Sequence, residues 1–380
     1  MIRRIYIDNF RCLVNFDLKL DYMTVLLGPN GSGKSSVFEA LHRLRALLAD
    51  EERVEAAFPS EDLWDPREGA VLSFVLETSC GKERDVAFTY ELAIEYTRQQ
   101  RSLVPKLRSE RLTSRMGEGK PVCLFDLEDG TAQLNDGGGE NLARYPCDPA
   151  RSGLTTVPDR PDTAPLTMFR TQVAHTLVAG INPMTMESLS TKETRHPDRY
   201  LRDFASWYRH LVQERQSNMF DLTAELREVL TGFDQLKLIQ FSQDHRVLHA
   251  VFSDGKGEKG RTTDVDFARL SDGQRVLIAL YTLLYGLKGQ DYNLFLDEPE
   301  NFVSLDEIQP WLMAAQDLYG QEIPQIVLIS HHPEVIDFLG GTYGLWIERG
   351  PNEPAGNPRE LKLDDSGLTL SETIARGWVE

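Results

Sequence analysis

Gly28-Pro29-Asn30-Gly31-Ser32-Gly33-Lys34-Ser35 decides the fold: it fits GxxxxGK[ST] and lies between an apolar run, YMTVLLG, and an amphipathic segment, SSVFEALHRLRALLAD. Glycines at these positions let successive backbone N–H groups turn inward around phosphate oxygens, and a helix start behind them favours the same anion. Lys34 adds a point charge for β- and γ-phosphates, and Ser35 offers a hydroxyl to Mg2+. A Gly-rich turn without ligand is the alternative, and the strand, loop and helix around the motif weigh against it. Val37, Ala40, Leu41, Leu44, Leu47 and Leu48 recur at helical spacing, which predicts one packed face, with His42, Arg43 and Arg45 on the other. Upstream, IRRIYIDNF alternates apolar and polar residues and NFDLKL follows, so two strands precede the buried one.

Beyond the helix, AVLSFVLET, RDVAFTYELAIEY and KLRSERL read as an antiparallel sheet over residues 70–115, with Gly81-Lys82 as the first turn. From Gly117 to Pro165 the chain is rich in Gly, Pro and Asp, and one short hairpin around CLFDLEDGTAQL is expected there. DRYLRDFASWYRHLVQERQ and MFDLTAELREVLTG then read as helices, followed by strand-like KLIQFSQ and RVLHAVFSD. No heptad pattern persists, so a long coiled coil is not expected. The expected organisation is a single bilobed head over 1–380: a phosphate-loop lobe with a β subdomain (1–115), a loop-rich and helical insertion (116–235) and a C-terminal lobe (236–380).

Three downstream elements carry further chemistry. Asn293-Leu294-Phe295-Leu296-Asp297-Glu298-Pro299-Glu300 is an apolar strand ending in carboxylates. The turn at its end allows Asp297 to orient a Mg2+ shell and Glu298 to polarise water as general base, the alternative being a solvated acidic turn. Leu270-Ser271-Asp272-Gly273-Gln274-Arg275 opens an apolar helix, VLIALYTLLYGL, and reads either as a second anion site or as a common Ser cap. Gln325-Ile326-Val327-Leu328-Ile329-Ser330-His331-His332-Pro333 is a buried strand ending in histidines able to contact a γ-phosphate or position water, or simply structural.

Composition bounds the partners. The chain has 41 Lys and Arg against 59 Asp and Glu, a formal charge of −18, which excludes a protein coated in basic charge for nonspecific duplex binding. No apolar run approaches the roughly 20 residues of a membrane span, and the start lacks a signal-peptide pattern, so a cytoplasmic protein with no membrane role is expected. Cys12, Cys80, Cys123 and Cys147 are too scattered for a disulfide scaffold or a CxxC metal site. Two stretches stand out against the acidity. Residues 98–120 hold seven Lys or Arg (Arg98, Arg101, Lys106, Arg108, Arg111, Arg115, Lys120) against Glu110 and Glu118, a net of +5, and 192–215 is mixed. They read as phosphate contacts or as solvated faces.

Taken together, GPNGSGKSS looks like Walker A, LSDGQ resembles the LSGGQ signature, LFLDEPE resembles Walker B and SHHP resembles the switch-histidine loop, in the order used by ABC-type ATPases. The opening IYIDNFRCLVNFDL with a phosphate loop near residue 30 resembles the SMC, RecF and OLD branch, in particular its small ATPases grouped with OLD-like and RecF-like heads; transporter ATPases are less similar. The resemblance implies an α/β P-loop NTPase, an ABC/SMC-like head with an antiparallel β subdomain and a helical insertion. It implies nucleotide contacts at Asn30, Gly31, Ser32, Gly33, Lys34, Ser35 and Ser36, and magnesium at Ser35 and Asp297. It further implies hydrolysis by Glu298, contacts from Ser271, Gly273 and Gln274 of a second subunit to the γ-phosphate, and a switch role for His331, with His332 as runner-up. Gln172, in strand-like FRTQVAH, is the best candidate for a metal-side Q-loop glutamine, with Gln99 and Gln100 behind it. Arg11 resembles a position that reaches nucleotide in SMC-like heads, or is a solvent-exposed Arg. Asp272 departs from the usual signature glycine, and Asp306 is the D-loop candidate in a segment unlike its relatives.

The function implied is ATP binding and hydrolysis by an ATP-sandwiched homodimer or higher oligomer coupled to an effector or DNA. The ATPase component of a bacterial anti-phage system is favoured, with RecF-like repair as alternative and a transporter ATPase as a third reading. OLD nucleases carry a Toprim domain after the head, whereas about 45 residues follow the histidine loop here, short of the roughly 100 such a domain needs. Asp364-Asp365 reads as a turn, and a separate nuclease or toxin subunit is expected.

Overall fold

The alternating opening folds as β1 (Ile2–Asp8) and β2 (Phe16–Lys19), paired antiparallel, before β3 (Met23–Leu27), in which every residue is buried. The computed structural model describes residues 1–80, 86–253, 261–361 and 368–377. The Gly81-Lys82 turn and the Asp364-Asp365 pair lie outside the described residues. The chain divides into two units, Met1–Thr176 with Thr342–Leu363, and Leu177–Gly341 with Asp364–Val379.

In the first unit α1 (Lys34–Ala49) follows β3, and its apolar face is buried as its spacing requires. Arg45 departs from expectation: it is buried, and its guanidinium donates to Asp50 Oδ2 at 2.6 Å and to Ala174 O at 3.3 Å. After the short α2 (Val54–Ala57) come β4 (Ala70–Cys80), β5 (Val86–Gln99), β6 (Ser102–Met116), β7 (Val122–Glu128), β8 (Thr131–Asn135) and β9 (Asn141–Pro146). With β1 and β2 they form one antiparallel sheet in the order β2-β1-β4-β5-β6-β7-β8-β9.

The Gly-rich stretch is therefore more ordered than one hairpin. Asp136 Oδ1 accepts from Gly138 N at 2.9 Å and Glu140 N at 2.8 Å, folding Gly137–Gly139 into a tight turn that delivers β9. FRTQVAH is not a strand: α3 (Ala164–Ala174) runs through it, burying Leu166, Phe169 and Val173 on one helical face.

The second unit begins with β10 (Thr176–Ala179) and β11 (Leu189–Ser190), followed by α4 (Phe204–Glu214) and α5 (Gln216–Val229). Then come β12 (Phe233–Gln240), β13 (Arg246–Ser253) and β14 (Thr262–Asp266), with β13 paired antiparallel to β11, β12 and β14. The last stretch holds α6 (Asp272–Tyr285), β15 (Asn293–Asp297), α7 (Leu305–Leu318) and β16 (Gln325–Ile329). β15 lies between β10 and β16 and runs parallel to β16, Asp297 opposite Ile329. Both strands are almost wholly buried, which accounts for their continuous apolar runs.

The chain then returns to the first unit, where β17 (Gly344–Trp346) pairs parallel with β3 and antiparallel with β18 (Arg359–Glu360). This division differs from the expected boundaries at 115/116 and 235/236. β7–β9 extend the sheet of β4–β6, so the first half of the supposed insertion belongs to the first unit, and pairing of β17 with β3 recovers 342–363 for it. Among the described residues no helix is long and apolar enough to cross a membrane, and no disulfide is present.

Candidate functional site

The phosphate loop is shaped by backbone that only glycine adopts cheaply. Gly28, Gly31 and Gly33 have φ of +141°, +78° and +108°. A methyl group on Gly28 would sit 1.9 Å from Ile347 O, so the loop is pressed against the end of β17; one on Gly33 would meet Cys12 Sγ at 3.1 Å and Leu13 Cδ2 at 3.2 Å. Pro29, Asn30, Gly31 and Ser35 face solvent, while Ser32, Gly33 and Lys34 are buried. Lys34 Nζ donates to Gly28 O at 2.7 Å, Pro29 O at 2.9 Å and Ser32 Oγ at 3.3 Å, so the ammonium is folded onto the inside of the loop. Ser36 Oγ accepts from Cys12 Sγ at 3.8 Å, which ties the first turn of α1 to the segment after β1. A loop shaped by glycines and leading into a helix start, with Ser35 an exposed residue at that start, has the chemistry to fit a triphosphate and its Mg2+.

Two arginines of the same unit differ in their relation to this loop. Arg11, itself at φ +49°, donates from Nε to Asp62 Oδ1 at 2.7 Å and approaches Glu39 at 3.7 Å, in a cluster completed by Arg43. In this conformation its guanidinium is occupied by carboxylates. Arg349, to which no sequence pattern pointed, lies over the Trp64 ring with its NH1 3.5 Å from Gly31 O at the loop tip. Gln172 sits on α3 with Nε2 donating to Ser79 O at 2.7 Å and Met1 O at 3.3 Å, so its amide braces the ends of β4 and β1.

In the second unit the carboxylates at the end of β15 are arranged by side chains. Asp297 Oδ2 faces Arg199 at 3.8 Å. Glu298 takes φ +50°, a left-handed turn that breaks strand alternation, while its N–H still donates to Ile329 O at 2.9 Å. Its Oε2 accepts from Asn301 Nδ2 at 2.8 Å and its Oε1 lies 3.7 Å from His331 Nε2. His332 points elsewhere: its Nδ1 accepts from Glu334 N at 3.3 Å as a helix cap. Of the two histidines, then, His331 faces Glu298.

Glu300 completes this loop. It is 5% exposed, and its Oε1 accepts from Ser330 Oγ at 2.6 Å and from His331 N at 3.3 Å. Burial pushes its carboxyl above the usual range, against the opposing pull of the Ser330 bond. The sequence places Glu300 beside the carboxylates, but only the partners thirty residues on give it a role.

The signature segment forms the start of α6. Ser271 Oγ accepts from Gln274 N at 3.3 Å and Gln274 Oε1 accepts from Ser271 N at 3.1 Å, a reciprocal cap that employs both side chains. A methyl group on Gly273 would lie 2.9 Å from Phe302 O, which explains the glycine. Asp272, the departure from the usual signature, is paired with Arg275, whose NH1 also donates to Pro183 O. Its charge is therefore met locally. Asp306 is exposed in the first turn of α7, behind a Ser304–Glu307 cap.

The basic stretch lies on β5 and β6. Arg111 pairs with Asp126 at 2.9 Å, and Lys106 stands opposite Glu95 in the register. Arg98 approaches Glu68 at 3.7 Å. Arg101, Arg108, Arg115 and Lys120 are exposed with no ion pair among the described residues.

A phosphate loop between a buried strand and a helix in the first unit, and a carboxylate turn after β15 beside a histidine turn after β16 in the second, belong to a P-loop fold of ABC/SMC-like type. Residues 1–106 match the AAA ATPase domain family. An OLD nuclease of Thermus scotoductus (strain ATCC 700910 / SA-01) is 44% identical over 41 residues, 11% of this chain and 8% of that protein. The crystal structure of an Smc head bound to the C-winged helix domain of ScpA aligns over 95% of this chain and 98% of its own at 11% identity, with a TM-score of 0.52. A second Smc head, with an extended coiled coil and a bound ScpA C-terminal domain, derived from Pyrococcus furiosus, aligns over 99% of this chain and 98% of its own at 10% identity and a TM-score of 0.47.

Proposed function

We propose that the chain binds and hydrolyses ATP with Mg2+, closing as a dimer around two nucleotides and passing that closure to an effector subunit. The observation that carries the reading is Glu298, turned out of its strand by a left-handed backbone and flanked by His331 and Asn301. Asn30 to Ser36 would cradle the phosphates, and Ser35 with Asp297 would hold Mg2+, which supplies charge neutralisation when bound. Glu298 accepts a proton from the attacking water, and His331 orients the water or the γ-phosphate. Ser271, Gly273 and Gln274, at the start of α6, contact the γ-phosphate of the other subunit's nucleotide. Arg11 reaches nucleotide only by exchanging its Asp62 partner, and Gln172 reaches metal only by leaving Ser79, so both are weaker members of the set.

We assign the output to a partner protein, as the ATPase component of an anti-phage defence system in the cytoplasm. The solved Smc head with its bound ScpA domain is a precedent for a partner docked on such a head. The alternative, RecF-like repair acting on DNA through residues 98–120, is favoured only by Arg101, Arg108, Arg115 and Lys120, since the other cations of that stretch face carboxylates. Light scattering with and without ATP tests closure, and a monomer under both conditions argues against it. Purification of the tagged chain with the product of a neighbouring gene in nuclease-treated lysate supports the effector reading. Salt-sensitive DNA retention without such a partner supports repair.

A further inference from the structure

Glu298 and His331 come from different strands, yet their side chains meet at 3.7 Å. The link between the loops that carry them is Glu300. Its Oε1 receives the Ser330 hydroxyl and the His331 backbone N–H, so the carboxylate loop and the histidine loop share one buried acceptor. Ser330 Oγ in turn accepts from His332 N at 3.1 Å, which fixes the chain on both sides of His331. Glu300 Oε2 is enclosed and receives no hydrogen bond among the described residues, so the side chain is committed to this one junction. A buried carboxyl placed so is costly unless the geometry it enforces is used.

We infer that Glu300 is a positioning residue: it sets the distance between Glu298 and His331 by holding the His331 backbone, and touches neither nucleotide nor metal itself. The inference rests on the proposed hydrolysis. Removing the acceptor leaves the Ser330 hydroxyl buried without its partner, takes the acceptor from the His331 N–H and frees the histidine loop to drift, a misplacement that acts on the chemical step and spares ground-state binding.

The experiment compares Glu300→Ala, Glu300→Gln and Ser330→Ala, after ATP turnover of the unaltered protein has been measured. Glu300→Ala is expected to lower kcat about 30-fold or more, with affinity for a fluorescent ATP analogue within about twofold. Glu300→Gln keeps an acceptor at Oε1 and is expected to stay within about fivefold, and Ser330→Ala is expected to fall between the two. A Glu300→Ala protein with turnover within about twofold of the unaltered one overturns the inference, as does a loss of kcat that tracks lost ATP affinity. If Glu300→Ala does not fold, the Ser330→Ala measurement decides on the same criterion. Absence of turnover in the unaltered protein sinks the hydrolysis reading instead, and the His331 ring signals in the NMR spectrum then decide the positioning role. They shift in Ser330→Ala if the junction holds the loop, and unchanged signals overturn it.

Discussion

The phosphate loop and the loop after β15 are both turns at strand ends, and they are held in opposite ways. The first is shaped by backbone: three glycines at positive φ, one of them pressed onto Ile347 O, with Lys34 folded onto the loop's own carbonyls. The second is shaped by side chains: Asn301 and His331 on Glu298, Ser330 and the His331 N–H on Glu300. Backbone shape specifies where an anion can sit, whereas side-chain junctions specify where a proton can go. Substitutions in the first should therefore damage folding and binding together, and substitutions in the second should separate binding from turnover.

The sharpest test of that division is Glu298→Gln. The amide keeps the size of the side chain and one acceptor for Asn301 but cannot take a proton. Steady-state turnover is expected to fall about 100- to 10,000-fold, with ATP affinity nearly unchanged and an ATP-bound dimer accumulating on size exclusion. Equal losses of binding and turnover would break the comparison. Gly28→Ala is the converse. Its methyl group would meet a backbone carbonyl in a left-handed region, and a loss of about 3 kcal/mol or more of stability is expected, read as a lower melting temperature together with lost ATP binding. A variant as stable as the parent would show that the loop is not pinned to β17.

The same division decides what could be read in the sequence. Glycine requirements are local, so GPNGSGKSS identified its loop, and the alternation of β1 and the apolar runs of β3, β15 and β16 placed the strands. Side-chain junctions are not local. Glu300 stands in the quoted DEPE segment, yet its partners Ser330 and His331 lie thirty residues on, and nothing short of the β15–β16 register brings them together. Arg349 was invisible for the same reason, since it meets Gly31 only because β17 pairs beside β3. Two misreadings had physical causes. Glycine-rich 117–165 looked loose because the Asp136 turn and the buried Glu110 that organise it are polar, and FRTQVAH looked extended because its helical face spans only three apolar residues.

Glu110 extends the comparison to a buried carboxyl that belongs to neither loop. It is wholly buried on β6, with Oε1 accepting from Tyr90 Oη at 2.8 Å and Ser152 Oγ at 2.5 Å and Oε2 from Gly153 N at 2.8 Å, so it staples the segment after β9 to the sheet. Burial raises its carboxyl above the usual range in spite of those donors. A carboxyl raised in the folded state contributes stability that is full below its unfolded pKa and is lost as pH rises through the folded value. Glu110→Gln removes that titration but sets an amide donor against Gly153 N–H, costing about 1–3 kcal/mol. The melting temperature of the variant is expected to lie below that of the parent at pH 4–5, with the gap narrowing as pH rises toward 8. A constant gap would mean that Glu110 does not titrate differently in the fold.

The smallest effect is expected on the outer face of the sheet, where side-chain contacts are plentiful and solvated. Arg111 and Asp126 pair bidentately at 2.9 and 3.2 Å, yet the two side chains are 49% and 34% exposed. Water already solvates both charges, so the pair replaces hydration it did not need to lose, and Arg111→Ala is expected to cost no more than about 1 kcal/mol, less at high salt. Side-chain geometry alone is thus not what makes the Glu300 junction matter; exclusion of water is. The same variant also tests residues 98–120. If that stretch holds DNA, reversing Arg108 and Arg115 to Glu should weaken retention and flatten its salt dependence, while Arg111→Ala, whose charge is already met, leaves both nearly unchanged. Equal losses from both variants would mean that Arg111 leaves Asp126 for phosphate and that the pairing across β6 and β7 is exchangeable.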